Sequence, residues 1–157
     1  MSTMPTAFDK DTPRFEEHPQ DFFETPIELA IACLKLLTNT LPRAVLDVGC
    51  GTGVWGKAAA EIWPKAELYG VDVVNRMNGI GPYDHFYQNN FLDVEIGAFG
   101  VVAGNPPYSA EGNRNLASDL VLHGINHLTR FGRLGFLLKT EFLNADNRYN
   151  AIFSRNP

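Results

Sequence analysis

The chain is poor in cysteine. Cys33 and Cys50 are the only two in 157 residues, and they form no CxxC pair. Two cysteines cannot build a disulfide framework. Long apolar runs are also missing. Segments such as Phe136-Leu137-Leu138 are far too short to span a bilayer. Met1 to Asp11 has no basic region leading into an apolar stretch, so no secretory signal is expected. A reducing cytoplasm is the expected compartment, with no membrane association. Internal repeats and low-complexity tracts are absent as well. Positive charge is in short supply, with 13 Lys and Arg against 18 Asp and Glu and a net charge of −5. A protein that coats nucleic acid through charge alone is therefore disfavoured. The basic residues that exist gather late, as Arg130, Arg133, Lys139, Arg148 and Arg155. Such a cluster is either a solvated face or a phosphate-contacting surface.

What remains is ordinary globular material, 45% hydrophobic and 20% charged. The length suits one domain with a proper core. Residues 1–20 are polar and carry Pro5, Pro13 and Pro19, and read as an irregular arm. Residues 21–157 form the domain. Thr25 is a good N-cap with Pro26 at the first helical position, and Ile27, Ala30, Ile31, Leu34 and Leu37 follow at helical spacing. Ala44 to Val48 is a short apolar run, as in a strand buried on both faces. The pattern then predicts a helix over 54–62 and a strand over 66–71 that ends in Asp72. Further strands are predicted over 85–88 and from about 97 to 103. A helix over about 116–129, a fifth strand over 133–138 and the start of a helix over 149–153 follow. Strands alternating with helices predict an α/β fold, a three-layer sandwich around a mainly parallel, doubly wound sheet.

Two stretches carry chemistry. The first is Asp47-Val48-Gly49-Cys50-Gly51-Thr52-Gly53. A glycine-rich turn from strand to helix lets a ligand approach the backbone and aims amide N–H groups at it. The spacing is not the G-x-G-x-x-G of a dinucleotide-binding turn, and Asp47 just before it suits a cationic ligand group. Asp72, 25 residues on at the next strand end, is placed to accept from a ribose diol. The second stretch is Asn105-Pro106-Pro107-Tyr108 at the end of the fourth strand. Two prolines make a stiff turn that fixes a carbonyl direction and holds an amide and a ring close to the backbone. By itself this is also what an ordinary Pro-Pro turn looks like. His123 and His127 are spaced i, i+4 but lack the Glu of a zinc hydrolase motif, and no metal is expected.

Taken in order, these pieces resemble the class I S-adenosylmethionine-dependent methyltransferases, and more narrowly the amino-methyltransferases that act on adenine in DNA. The order is Glu24-Thr25-Pro26, then DVGCGTG, then Asp72, then Asn90-Phe91-Leu92-Asp93, then NPPY, which is similar to the gamma class. The resemblance covers roughly residues 21–153. It implies a Rossmann-like fold and S-adenosylmethionine as cofactor. Asp47, Gly49, Gly51 and Gly53 would hold the methionine part, and Thr25 and Pro26 would close over its carboxylate. Asp72 would take the ribose, and Asp93 the adenine amino group, with Phe91 or Leu92 beside that ring. Asn105, Pro106, Pro107 and Tyr108 would bind the substrate base, with Phe142 as a candidate second wall. Cys50 reads as a packing residue. DNA is the preferred substrate and RNA the second. A protein glutamine substrate, and a cofactor-binding fragment without activity, are the rival implications. The family carries strands after the fifth and a target-recognition region, so a truncated or minimal domain is expected.

Overall fold

A computed structural model describes residues 23–37, 40–108, 115–144, 152 and 154. The expected arm over 1–20 and the helix start over 149–153, Ile152 apart, lie outside the described residues. The elements are α1 (Ile27–Leu37), β1 (Ala44–Val48), α2 (Val54–Ile62), β2 (Glu67–Asp72), β3 (His85–Gln88), β4 (Phe99–Gly104), α3 (Leu116–Asn126) and β5 (Leu128–Phe136). Single 3-10 turns stand at Phe91–Asp93 and Thr140–Asn144. The five strands form one sheet in the order β3-β2-β1-β4-β5, and every pairing is parallel.

Alternation along the strands splits the core in two. Val45, Leu68, Val101 and Ala103 face α1 and α2, where they meet Ala30, Leu34, Trp55, Ala58 and Ala59. Leu46, Val48, Val71 and Val102 face the other way, onto Phe91, Leu116 and Leu120. Helices on both faces are what an all-parallel sheet requires, because each face must be covered. The three-layer α/β/α architecture is therefore the expected one.

Three boundaries differ from expectation. The first bonds of α1 close on the Pro26 carbonyl, which accepts from Leu29 N–H at 3.0 Å and Ala30 N–H at 3.1 Å. Pro26 thus takes the cap position and Ile27 opens the helix. Thr25 turns its hydroxyl instead to the Trp55 indole N–H at 3.2 Å. Helix α3 stops at Asn126, and β5 begins at Leu128 rather than at 133. Leu128 pairs with Phe99 and Arg133 with Val101, so the residues between them bulge from the edge. Leu128 looked like one more helical apolar position; it is a sheet residue.

A parallel sheet places all its carboxyl ends on one rim. Sequence order reverses direction between β1 and β4, so the crevice between their ends is the topological switch point. The glycine turn follows β1 and the NPPY turn follows β4.

Candidate active site

The two turns touch at the switch point. Gly49, Gly51 and Gly53 have φ of 68°, 52° and 83°, a region that side chains disfavour. A Cβ on Gly49 would stand 3.1 Å from the Pro106 Cα. A Cβ on Gly104, at φ 150°, would run into the Val48 carbonyl at 2.3 Å. Glycine at both places is what lets the turns meet. The turn after β1 is pinned by Gly49 and Cys50 N–H, which donate to the Val71 carbonyl at 2.9 and 3.1 Å.

Asp47 lies beneath this turn and is 2% exposed. Its Oδ2 accepts from the Tyr83 hydroxyl. Its Oδ1 has no hydrogen-bond partner among the described residues. Burial, with the Asp72 charge adding to it, pushes the carboxyl up to about 7 against the pull of the Tyr83 bond. Cys50 is buried too, and burial drives its thiol well above the ordinary range. A thiol held protonated is packing, not a nucleophile.

Asp72 ends β2 and is 9% exposed. Its Oδ2 accepts from Gly51 N–H at 2.7 Å, and its Oδ1 from Val74 N–H at 3.0 Å and Arg76 Nη1 at 3.4 Å. The acid of the second strand therefore braces the glycine turn of the first. Past β3, Asn90 caps the 3-10 turn by accepting from Leu92 N–H at 3.1 Å. Of the two candidate ring neighbours, Phe91 is 4% exposed and packs its ring on His123 and His127, with centroids 4.7 and 5.4 Å away. Leu92 is half-buried and Asp93 exposed, both on the rim.

Asn105 is half-buried, Pro106 fully buried, Pro107 exposed and Tyr108 half-buried. The Asn105 Nδ2 donates to the Phe23 carbonyl at 3.1 Å, and its Oδ1 accepts from the Tyr108 hydroxyl at 2.8 Å. The Lys139 ammonium stands 5.3 Å from the centre of the Tyr108 ring. Burial raises the Tyr108 hydroxyl, so it stays a donor.

Two expectations change. Phe142 is buried against Ala117, Val121 and Ile152, so it is core and not a wall of the base site. Among the described residues, the late basic side chains divide between two places. Arg130 and Arg133 sit at the start of β5, where Arg133 bonds the Phe131 and Gly132 carbonyls, while Lys139 alone reaches the NPPY turn. Arg148 and Arg155 lie outside the described residues. His123 bonds the Val94 carbonyl and His127 the His123 carbonyl. No group of three or more metal-ligating side chains occurs among the described residues. No described helix is long and apolar enough to cross a membrane. Sequence reasoning missed Tyr83, Thr52, Trp55 and the Phe23 carbonyl. Thr52 was read only as part of the glycine turn, the others carry no motif, and each is recognised by what it touches.

The Methyltransferase small domain family matches residues 28–156. The chain belongs to that family. It is 33% identical to Ribosomal RNA small subunit methyltransferase C of Salmonella arizonae over 64% of this chain and 32% of that protein. It is 27% identical to Modification methylase CviBIII of Paramecium bursaria Chlorella virus NC1A over 89% of this chain and 43% of that protein. The chain thus spans about a third to two fifths of the length of these relatives. Among solved structures, TrmN from Thermus thermophilus superposes with a TM-score of 0.57 at 19% identity, over 70% of this chain and 37% of that one. The plantazolicin methyltransferase BpumL, in complex with SAH, gives 0.55 at 15%, over 78% and 50%. These likenesses match the sheet and its helices. S-adenosylmethionine is the cofactor of this family member. The rim fits it: three glycines keep the turn after β1 clear of side chains, and a carboxylate ends the neighbouring strand.

Proposed function

We propose that this chain transfers a methyl group from S-adenosylmethionine to the exocyclic amino nitrogen of adenine in a nucleic acid, with DNA the preferred carrier. The observation that carries the reading is the orientation of the Asn105 amide. One of its two Nδ2 N–H groups donates to the Phe23 carbonyl, which fixes the amide with Oδ1 as the end offered to a substrate N–H. A carbonyl oxygen has two lone pairs, and the Tyr108 hydroxyl takes one of them.

An adenine amino nitrogen is a poor nucleophile because its lone pair is delocalised into the ring. Oδ1 of Asn105 and the Pro106 carbonyl, each accepting one N–H bond, would draw that pair out of the ring. Pro106 is buried and its φ is fixed, so its carbonyl direction is fixed too. The Tyr108 ring offers a face on which an extruded base stacks, worth roughly 1–3 kcal/mol. Bound S-adenosylmethionine supplies a methyl on a sulfonium, already activated. Asn105 Oδ1 and the Pro106 carbonyl would hold the amino nitrogen in line with that methyl, so that the methyl would pass from sulfonium to nitrogen and the amino proton to solvent. What this chain contributes is positioning, with no covalent nucleophile. Gly49, Gly51, Gly53, Thr25 and Pro26 would hold the methionine end, with Asp47 beneath the turn. Asp72 would hold the ribose, and Leu92 and Asp93 the adenine of the cofactor, with Phe91 bracing that turn from inside the core.

The similarity to a DNA modification methylase over 89% of the chain supports DNA, and the 33% identity to an rRNA methyltransferase supports RNA as the second reading. Incubation with methyl-labelled cofactor and separate DNA, RNA and protein fractions decides between them. Label on N6-methyladenine in DNA is expected. Label in protein alone would overturn the reading in favour of a glutamine amide, and cofactor binding without transfer to any fraction would leave a binding domain.

A further inference from the structure

Three consecutive residues ahead of α1 tie three parts of the site together. The Phe23 carbonyl accepts from Asn105 Nδ2 at 3.1 Å, Glu24 Oε1 accepts from the Thr52 hydroxyl at 2.5 Å, and Thr25 Oγ1 accepts from Trp55 Nε1 at 3.2 Å. Asn105 belongs to the NPPY turn, Thr52 to the glycine turn and Trp55 to α2. Phe23 and Glu24 are themselves exposed, so hydrogen bonds anchor this end of the strap, while Thr25 is buried.

We infer that Glu24 is a positioning residue for Asn105, acting through the strap, and that the strap couples the cofactor turn to the substrate turn. The inference rests on the proposed role of Asn105 as acceptor of the substrate amino group. A primary amide has an accepting and a donating end of almost the same shape. The Phe23 carbonyl can only accept, so it selects the orientation with Nδ2 toward the strap and Oδ1 toward the substrate. Tyr108 cannot make that choice, because a hydroxyl both donates and accepts. With the strap loose, the amide turns over and sets its own N–H against the N–H of the amino group. Phe23 is held in place by the residue after it, whose carboxylate is fastened to Thr52. Thr52 sits in the turn that takes the cofactor. A filled turn therefore fixes the strap, and the strap fixes Asn105. By reciprocity, a base held on Asn105 tightens the cofactor site by the same factor.

The test uses the full chain with Glu24→Ala, Glu24→Gln, Thr52→Val and the double variant Glu24→Ala/Thr52→Val. Turnover on an adenine-containing oligonucleotide is read as kcat and KM, and S-adenosylhomocysteine affinity by calorimetry. Glu24→Ala is expected to lower kcat roughly tenfold, as a misplaced catalytic group does, with S-adenosylhomocysteine affinity held within about threefold. Glu24→Gln keeps an acceptor and is expected to recover most of the loss. The double variant is expected to be no worse than the worse single one, because both break one link. The side-chain amide resonances of Asn105 in 15N-labelled protein supply a readout free of turnover. They are expected to move in Glu24→Ala toward those of a solvated amide. Additive losses, cofactor affinity falling in step with kcat, or an unmoved Asn105 amide would each overturn the strap. A wild type that methylates nothing, together with a shifted amide in Glu24→Ala, would support the strap and overturn the substrate reading.

Discussion

The Tyr83 hydroxyl donates to the Asp47 carboxylate from a loop that leaves β2 and returns to lie against α2. The ring that carries it rests on Gly56 and Gly70. A Cβ on either residue would come within 2.4 and 2.8 Å of the ring. Two glycines with no part in the glycine turn after β1 thus clear the path by which a tyrosine reaches the acid beneath that turn.

Stability should carry the mark of this pair. Asp47 is raised to about 7 in the folded chain, from an ordinary value near 3.8. Between those values the folded protein holds a proton that the unfolded chain has released. Stability from this group is therefore present at low pH, falls as pH rises through roughly 4 to 7, and levels above that. The full fall is on the order of 4 kcal/mol. Urea denaturation at several pH values should show a wild-type slope over this window that Asp47→Asn flattens. Parallel slopes in the two proteins would count against a titrating Asp47.

Tyr83→Phe removes the one hydroxyl that bonds Asp47 and leaves a buried acceptor short of a donor. The expected loss is about 1–3 kcal/mol by the same denaturation. The Tyr83 bond lowers the Asp47 carboxyl, so its removal should also extend the sloping window above pH 7.

The sheet was legible because its signals are local. Apolar five-residue runs, a glycine turn and prolines at strand ends each have a short-range cause, and the rim residues follow from them by topology alone. Leu128 was misplaced because a single apolar residue after a helix fits either continuation. Phe142 had a similar fault: an aromatic just past a strand reads as a ligand wall, and only its packing partners from α3 reveal it as core. Tyr83 was invisible for a different reason. Its role is set by the absence of side chains at positions 56 and 70, which sequence presents only as two more glycines. The Phe23 carbonyl was beyond reach altogether, since a backbone acceptor has no residue type.

Asn105→Ala should lower methyl transfer at least about 100-fold, since an acceptor used in the transition state is lost. S-adenosylhomocysteine binding, measured by calorimetry, should stay within about threefold. Unchanged transfer would remove Asn105 from the reaction.

Lys139 is exposed beside the Tyr108 ring and is the basic residue nearest the NPPY turn among those described. A cation there suits a phosphate flanking an extruded base. Lys139→Ala should raise KM for an oligonucleotide and flatten its dependence on salt concentration by about one ion, with kcat little changed. A salt slope equal to that of wild type would assign the lysine to packing on Tyr108.

Arg76 stands at the carboxylate proposed to take the ribose. Asp72 already accepts two backbone N–H bonds, and the guanidinium stands on the same Oδ1 at 3.4 Å. A diol that takes this carboxylate must displace the arginine. Arg76→Gln should therefore tighten S-adenosylhomocysteine binding a few-fold in calorimetry, most clearly at low salt. Weaker binding would mean that the arginine contacts the cofactor itself.

The meeting of Gly49 with Pro106 has a consequence for reach. The donor turn and the acceptor turn hang from β1 and β4, which are hydrogen-bonded neighbours. Under the proposed roles of the two turns, their anchor points are separated by the spacing of adjacent strands, about 4.8 Å. Changes in the loops can alter which molecules are gripped. In the proposed reaction, the separation of methyl donor and acceptor is anchored in the ladder of backbone bonds beneath these turns.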